Sequence, residues 1–506
     1  MIDPKVVAQR KRAVENRLDG HKFNFSGVPE MSASNIQYEI AERTQAMADG
    51  GIGLIHKLVQ EIGLVDAINE KVQLLKMYMP YRESDHVLNI AYNAMCGGRV
   101  LEDIELRRND EVFLNALEAD RIPDPTTAGD FCRRFNSRYK IGSLMDAFDE
   151  ARLKVWAKQP RAFFDQAIVD MDGHLVETTG QCKEGMDIAY DGTWGYHPLI
   201  VSLANTGEVL SIENRPGNRP SHEGAFVHCD RAIALCRRGG FRRIVLRGDT
   251  DFSQTEHLDR WDAQDVMFHF GYDATPNLKE IAENLGESCW KKLERPARYQ
   301  VKTEPRSRPD NVKQAIVRKR EFDVLNLNSE QVAEFDYRPV KCKKTYRMVV
   351  VRKNISREKG ETRLFDEIRY FFYITNDRDS TLAEIVFSCN DRCHQENLIE
   401  QLKNGVPAMR AAVDNLLSNW AYMLMTALAW NLKAWAALWL PEEGRWAQKH
   451  RGEKQRVLRM EFRTFVNHFI KLPCQIIHSG RRVIYRLLGW NSYLPIFRRL
   501  AVELHC

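Results

Sequence analysis

No C-x-x-C pair occurs in the 506 residues, and the eleven cysteines are odd in number and scattered. That excludes a secreted disulfide framework and a zinc ribbon, and points to reduced thiols in a cytosol. Glycine (29) and proline (18) are present in ordinary numbers without a period, and no internal repeat is visible; collagen-like and low-complexity chains are excluded. G-x-S-x-G, H-E-x-x-H and Walker A motifs are missing, which disfavours serine hydrolases, zincins and P-loop ATPases. The opening MIDPKVVAQRKRAVENRLDG has no apolar run of signal-peptide kind. The longest stretch without a charge, from Asn415 to Leu432, is about the minimum length of a membrane span. Asn415, Ser418, Asn419, Thr426 and Asn431 interrupt it, and each interior Asn would need its own partner in lipid. A buried helix and no membrane partner are therefore expected.

The chain is 44% hydrophobic and 28% charged, ordinary for soluble globular protein and enough for two to four domains. The net charge of +5 conceals an uneven distribution: residues 291–360 carry +11, residues 441–506 carry +8, and the remainder carries −14. A basic run is most often a solvated surface. Here Arg and Lys alternate with Trp290, Tyr299, Tyr346 and prolines, which suits a polyphosphate surface. Nucleic acid is the leading partner and an anionic membrane the weaker one.

Up to about residue 155 the apolar residues recur at three- and four-residue spacing, as in helices. The GGIG at Gly50–Gly53 lacks the third glycine and the preceding strand of a dinucleotide loop. From Phe163 the texture changes. QAIVDMDG, HPLIVSLANTGEVLSIENRPG, RRIVLRGDTDF and DVMFHFGYDA read as strands, with a helix over 222–237. This order indicates an α/β layer with a mixed sheet. Residues 276 to 365 are basic, proline-punctuated and β-rich, and RYFFYITN resumes the buried-strand texture. TLAEIVFSCNDRCHQENLIEQLKNG then reads as one helix ending at Gly405, followed by a Trp-rich helix and a basic, helical C-terminal segment.

Within this frame three acidic positions stand out. Asp170 and Asp172 lie two apart in IVDMDG, on one face of a strand. Asp249 and Asp251 sit where VLRGDTDF leaves a strand, at the kind of sheet edge where α/β sites form. Glu396 lies one turn after Arg392 and two turns before Lys403, on one helix face by spacing. Carboxylates converging from two strands and a helix would hold Mg²⁺ through hard oxygen ligands, and two such ions could clamp a phosphodiester. Each alone also reads as a turn former, a helix cap or an i,i+4 pair.

Taken jointly, these motifs resemble bacterial insertion-sequence transposases of the DDE superfamily, in the group bearing a Y-R-E-K signature. Cys389-x2-Arg392-x3-Glu396-x6-Lys403 matches that spacing except that Cys389 replaces tyrosine; a thiol is a poor donor to phosphate. AIVDMDGHLVETTG resembles the first-Asp strand, with His174 where many relatives have threonine. IVLRGDTDF resembles the second-Asp strand, and CGGRVLEDIELRRND, PDPTTAGDFCRRF and GYHPL also look like this group. The resemblance implies an α/β fold with an RNase H-like (integrase-like) core, a β-rich insertion and helical N- and C-terminal regions. It implies a helical DNA-binding region at 1–155, core at 156–275 and 367–445, a basic β-rich insertion at 276–366, and a basic helical region at 446–506.

The same resemblance implies Asp172, Asp249 and Glu396 as the catalytic, metal-binding triad, with Asp170 as the fallback for Asp172. Two Mg²⁺ ions are implied, with Mn²⁺ able to substitute, and Arg392 and Lys403 would hold phosphates. Activated water would cleave the transposon end, and the freed 3′-OH would attack target DNA. The partners implied are double-stranded DNA (terminal inverted repeats and target) and a second copy of the chain in the DNA complex, in a bacterial, nucleoid-associated cytoplasm. Trp290, at the start of the basic block, would stack on an extruded base. Lys341, Lys343, Lys344 and Arg347 would contact DNA.

Other candidates are weaker. Cys389, Cys393 and His394 are spaced within one helical turn but lack the second half of a zinc motif. His222, His269 and His394 are possible general bases, with surface or core histidine as the ordinary alternative. Trp420, Trp430, Trp435 and Trp439 read as core. Two rivals remain open: a transposase-derived DNA-binding protein without catalysis, and a metal-dependent nuclease that cuts but does not join.

Overall fold

The computed structural model describes residues 4–18, 31, 33–77, 80–295, 313, 316, 319–320, 323–359 and 362–506. The chain divides into two units: Phe164–Gly173 with Pro220–Glu396, and Met1–Phe163 with His174–Arg219 and Asn397–Cys506.

The first of these holds a mixed sheet built from the expected strands. They are β1 (Gln166–Gly173), β2 (Arg243–Gly248), β3 (Met267–Tyr272), the short β4 (Lys291–Lys292), and the long β5 (Asp323–Tyr337), β6 (Tyr346–Lys359) and β7 (Thr362–Thr375). Their spatial order is β4-β5-β6-β7-β3-β2-β1. β1, β2 and β3 run parallel, whereas β3–β7, β7–β6 and β6–β5 are antiparallel. Parallel neighbours need crossovers; helix α1 (Ala225–Gly239) precedes β2, and α2 (Thr255–Ala263) joins β2 to β3. β2 and β3 are buried along most of their length, and read as apolar runs for that reason. The strands of the basic β-rich segment extend this same sheet, and the expected boundary at 366 falls inside β7. Residues 296–312 of the basic block lie outside the described residues.

The other unit is mainly helical, with the 23-residue helix Leu416–Leu438 buried almost throughout. The asparagines that break its apolar run each have a partner. Asn415 caps the helix by accepting from Ser418 N, and Asn419 pairs with both backbone groups of Val413. Asn431 does the same for Val209 of the strand Glu208–Glu213 (2.9 and 3.0 Å). Trp420, Trp430, Trp435 and Trp439 are core, as expected. Among the described residues no helix is long and apolar enough to cross a membrane. Two expectations of all-helical ends are corrected. Cys474–Ser479 and Arg482–Leu487 form an antiparallel hairpin, and Gln45–Met47 adds a third strand to it. Here RVIYRL alternates with period two, a strand pattern that the surrounding basic residues obscure.

Candidate active site

Parallel register brings the two aspartates to one edge. Asp170 on β1 is paired with Arg247 on β2, so Asp172 and Asp249 both lie two positions beyond that pair, at the same end of neighbouring strands. Asp172 accepts from Gly173 N (2.8 Å), and Asp249 accepts from Asp251 N (3.1 Å), which caps the short turn Thr250–Phe252. That turn folds back on glycine. A Cβ at Gly248 would lie 2.6 Å from Phe252 Cβ, and one at Gly271 on β3 would lie 2.9 Å from Thr250 N. Two glycines therefore let the Asp249 loop lie flat on the sheet.

Glu396 arrives by a different route. After β7 the chain turns through Asp377, whose carboxylate accepts from Asp379 N and Ser380 N (both 2.9 Å). It then enters helix α3 (Leu382–Asn390) through a capping box between Thr381 and Glu384. The single helix expected over 381–405 is corrected: α3 stops at Asn390, Asp391 and Arg392 form a turn, and α4 (Cys393–Glu400) carries Glu396 in its first turn before a π-helical turn at Gln401–Gly405. Arg392 thus sits at a break, and its guanidinium leaves the helix line.

That guanidinium joins the two strands. Arg392 Nη2 lies 3.3 Å from Asp172 Oδ2 and 3.6 Å from Asp249 Oδ2, with the Arg392 and Asp172 side chains only 17% and 20% exposed. Burial pushes the Asp172 carboxyl up to about 6; Arg392 works against that rise, while the charges of Asp249 and Glu396 add to it. Asp249 is raised too, by burial first, with Arg392 opposing and Asp251 adding. Carboxylates crowded until their charged forms become costly are a common mark of a functional site. The donor set is all oxygen, which fits a hard divalent cation. As placed, Arg392 supplies the positive charge between the aspartates, and among the described residues no three acidic, His or Cys side chains enclose an ion-sized space.

The remaining expected residues are distributed as follows. Asp170 is fully buried and bound bidentately by Arg247 (2.7 Å twice), so both its oxygens are engaged within the protein. Cys389 lies in an apolar cluster with Leu293, Val332, Val349, Val351, Leu382, Ile385 and Val386, and burial pushes its thiol up to about 12. As placed, its thiol is enclosed by that apolar cluster. His394 is exposed and His222 half-buried. His269 is buried between Ser388 and Asp377, and burial lowers it to about 4. Lys403 is exposed on the π-helical turn, in the unit that does not hold the carboxylates.

The basic residues expected on DNA are engaged within the protein. Lys341 pairs with Glu256 (3.0 Å) and Lys344 with Asp262, both acids on α2, while Lys343 N donates to Asp259. Arg347 is only 7% exposed; it pairs with Glu334 and donates to the carbonyls of Asp377 and Ser380. Trp290 is 7% exposed, with the Arg352 guanidinium 4.3 Å above its ring. As placed, it has no open face for a base. Sequence reasoning passed over Arg247, Gly271 and Ser388, and weighed His269 only as a general base. Only the Arg-Gly before Asp249 carried a signal, and that was read as a motif rather than as a contact.

A family model described as "Transposase DDE domain group 1" matches residues 31–505. The chain belongs to the DDE transposase family. DDE transposases cut and join DNA and generally use divalent metal ions. No curated protein matches the chain. One solved structure similar to this transposase is a piggyBac transposase synaptic complex with hairpin DNA, at 10% identity over 84% of each chain and a TM-score of 0.39.

Proposed function

We propose that this DDE transposase is a cut-and-paste enzyme of the insertion-sequence kind, cleaving the terminal inverted repeats of its element and joining the freed 3′-OH ends to target DNA as a homodimer. One observation carries the reading: three carboxylates from positions 172, 249 and 396 act on a shared field, with Arg392 bridging the two aspartates. Arg392-x3-Glu396-x6-Lys403 supports the R-E-K assignment, and the parallel β1–β2 pair supports an RNase H-like core.

Asp172, Asp249 and Glu396 would hold two Mg²⁺, or Mn²⁺ in their place. When bound, such ions stabilise the charge on the attacking and leaving oxygens of an in-line phosphoryl transfer. The protein's part is to gather the oxygens and keep them together. Arg392 offsets the repulsion between Asp172 and Asp249, and its cationic head is the group at this edge that suits a phosphate. Lys403 is assigned the same role by spacing alone. Lys341 and Lys344 have half or more of their side chains exposed, so they can exchange carboxylate for phosphate partners. Arg347 and Trp290 support that surface from below.

The test is cleavage and strand transfer on DNA carrying the inverted repeats that flank the coding region. Asp172→Ala, Asp249→Ala and Glu396→Ala should each abolish cutting and keep end affinity within about threefold, and EDTA should stop the wild type. Full cutting by any one of the three removes that residue from the site. Activity that survives EDTA refutes the metal-dependent reading, and cutting without joining identifies a nuclease.

A further inference from the structure

We propose that Arg247 is the positioning residue of this site, a single guanidinium that ties β1 and β2, the strands leading to Asp172 and Asp249, to α3, the helix before the turn at Arg392 and the Glu396-bearing α4. The proposal rests on the reading of those carboxylates as the reaction site. Arg247 lies on β2, two residues before Asp249, with its side chain 4% exposed. Its Nε and Nη2 donate to the two oxygens of Asp170 on β1 (2.7 Å each), two residues before Asp172. Its Nη1 donates to Ser388 O on α3 (3.0 Å), four residues before Arg392. Ser388 carries the chain of contacts onward. Its hydroxyl shares a 2.8 Å hydrogen bond with His269 Nδ1 on β3, and His269 Nε2 lies 3.6 Å from the Asp377 carboxylate that forms the turn into α3.

A buried ion pair adds little stability over apolar residues of the same volume, because desolvation offsets its attraction. A core of Leu or Met at 170 and 247 would serve the sheet as well. It would not direct α3. A guanidinium fork binds in one orientation, with its donors fixed in a plane, so the helix can meet the strands at one height and angle only. Asp172 sits two residues along the strand from Asp170, roughly 7 Å, and small errors at the staple pass directly to the carboxylates. A misplacement of about 1 Å at reacting groups costs on the order of 100-fold in rate.

The experiment uses the full chain and reads three quantities: thermal midpoint, Mn²⁺ affinity by calorimetry without DNA, and cleavage at saturating end DNA. Arg247→Lys keeps a cation beside Asp170 and loses the fork to Ser388. It should raise the Mn²⁺ Kd at least tenfold and slow cleavage at least tenfold, with end-DNA Kd within twofold. Ser388→Ala leaves the ion pair intact and should weaken Mn²⁺ at least threefold. Val169→Ala opens a cavity in the same strand away from the staple; it should lower the midpoint and keep wild-type Mn²⁺ affinity. A folded Arg247→Lys with Mn²⁺ affinity within twofold of wild type overturns the proposal, as does an equal Mn²⁺ loss in Val169→Ala. Should Arg247→Lys fail to fold, unchanged Mn²⁺ affinity in Ser388→Ala overturns it. A wild type that binds Mn²⁺ without cutting end DNA refutes the transposase reading and leaves the Mn²⁺ comparison to judge the staple. One that binds no Mn²⁺ overturns both.

Discussion

Arg347→Ala separates a latch from a DNA contact. The side chain is 7% exposed and donates to the carbonyls of Asp377 (3.1 Å) and Ser380 (2.6 Å), the two residues that bracket the turn into the Glu396-bearing segment. Hydrogen bonds from a charged donor contribute about 1.5–3 kcal/mol each. The low end applies here, because Ser380 is only half-buried and water can reach its carbonyl. The pair with Glu334, whose carboxylate side chain is 46% exposed, adds less than about 1 kcal/mol. The loss should therefore be about 3 kcal/mol, a fall of roughly two decades in the folding equilibrium. Urea unfolding followed by tryptophan fluorescence measures it. In parallel, the dependence of end-DNA affinity on salt should keep its slope, because a residue that touches no phosphate releases no counterion. Removing a true phosphate contact would flatten the slope by about 0.9. Wild-type stability together with a flattened slope would refute the latch and return Arg347 to the DNA surface.

Three further outcomes are expected. Asp172, raised to about 6 by burial, is favoured in its neutral form, so in the metal-free protein its contribution is full below about pH 4 and is lost as pH rises through 6. Asp172→Asn should remove that decline, worth about 3 kcal/mol, and identical urea midpoints against pH in the two proteins would sink the reasoning. Gly271→Ala puts a Cβ 2.9 Å from Thr250 N and 3.1 Å from Asp249 C; cleavage should fall at least tenfold with end binding kept, and unchanged cleavage would show that the Asp249 loop can move without cost. Lys433 is fully buried, and burial lowers it to about 7. Between pH 7 and 10 the unfolded chain binds the extra proton, so wild-type stability should rise with pH by up to about 1.4 kcal/mol per unit. In Lys433→Met that rise should disappear, and a variant that keeps it places the titration elsewhere.

Local pattern made much of the chain legible. The runs QAIVDMDG, RRIVLRG and DVMFHFGY are strands because β-branched and aromatic residues bounded by Gly and Asp leave little else for them to be. The carboxylates at their ends follow, since a strand end is where a short polar side chain can be exposed. The Trp-rich helix was legible by its length and apolar spacing, and its asparagines could be seen to need partners, though not which ones. The hairpin of the C-terminal segment was missed because a six-residue alternation is short against a basic background.

Local pattern along the chain carried the strands, the buried helix and three acidic positions at the ends of elements. The partners of those acids came from packing. Asp170 and Asp172 are equivalent in sequence, and only β2 separates them by placing Arg247 opposite Asp170. Arg392 has Glu396 as its natural i,i+4 partner by spacing, yet a helix break turns it to Asp172 and Asp249. Lys341, Lys344 and Arg347 look like free charge until α2 and the turn at Asp377–Ser380 supply their partners, more than eighty residues away in two of the three cases. Spacing along a chain fixes which side chains share a face of one element. Charge and hydrogen-bond partners come from whatever the fold brings alongside, and that is set by packing between elements distant in sequence.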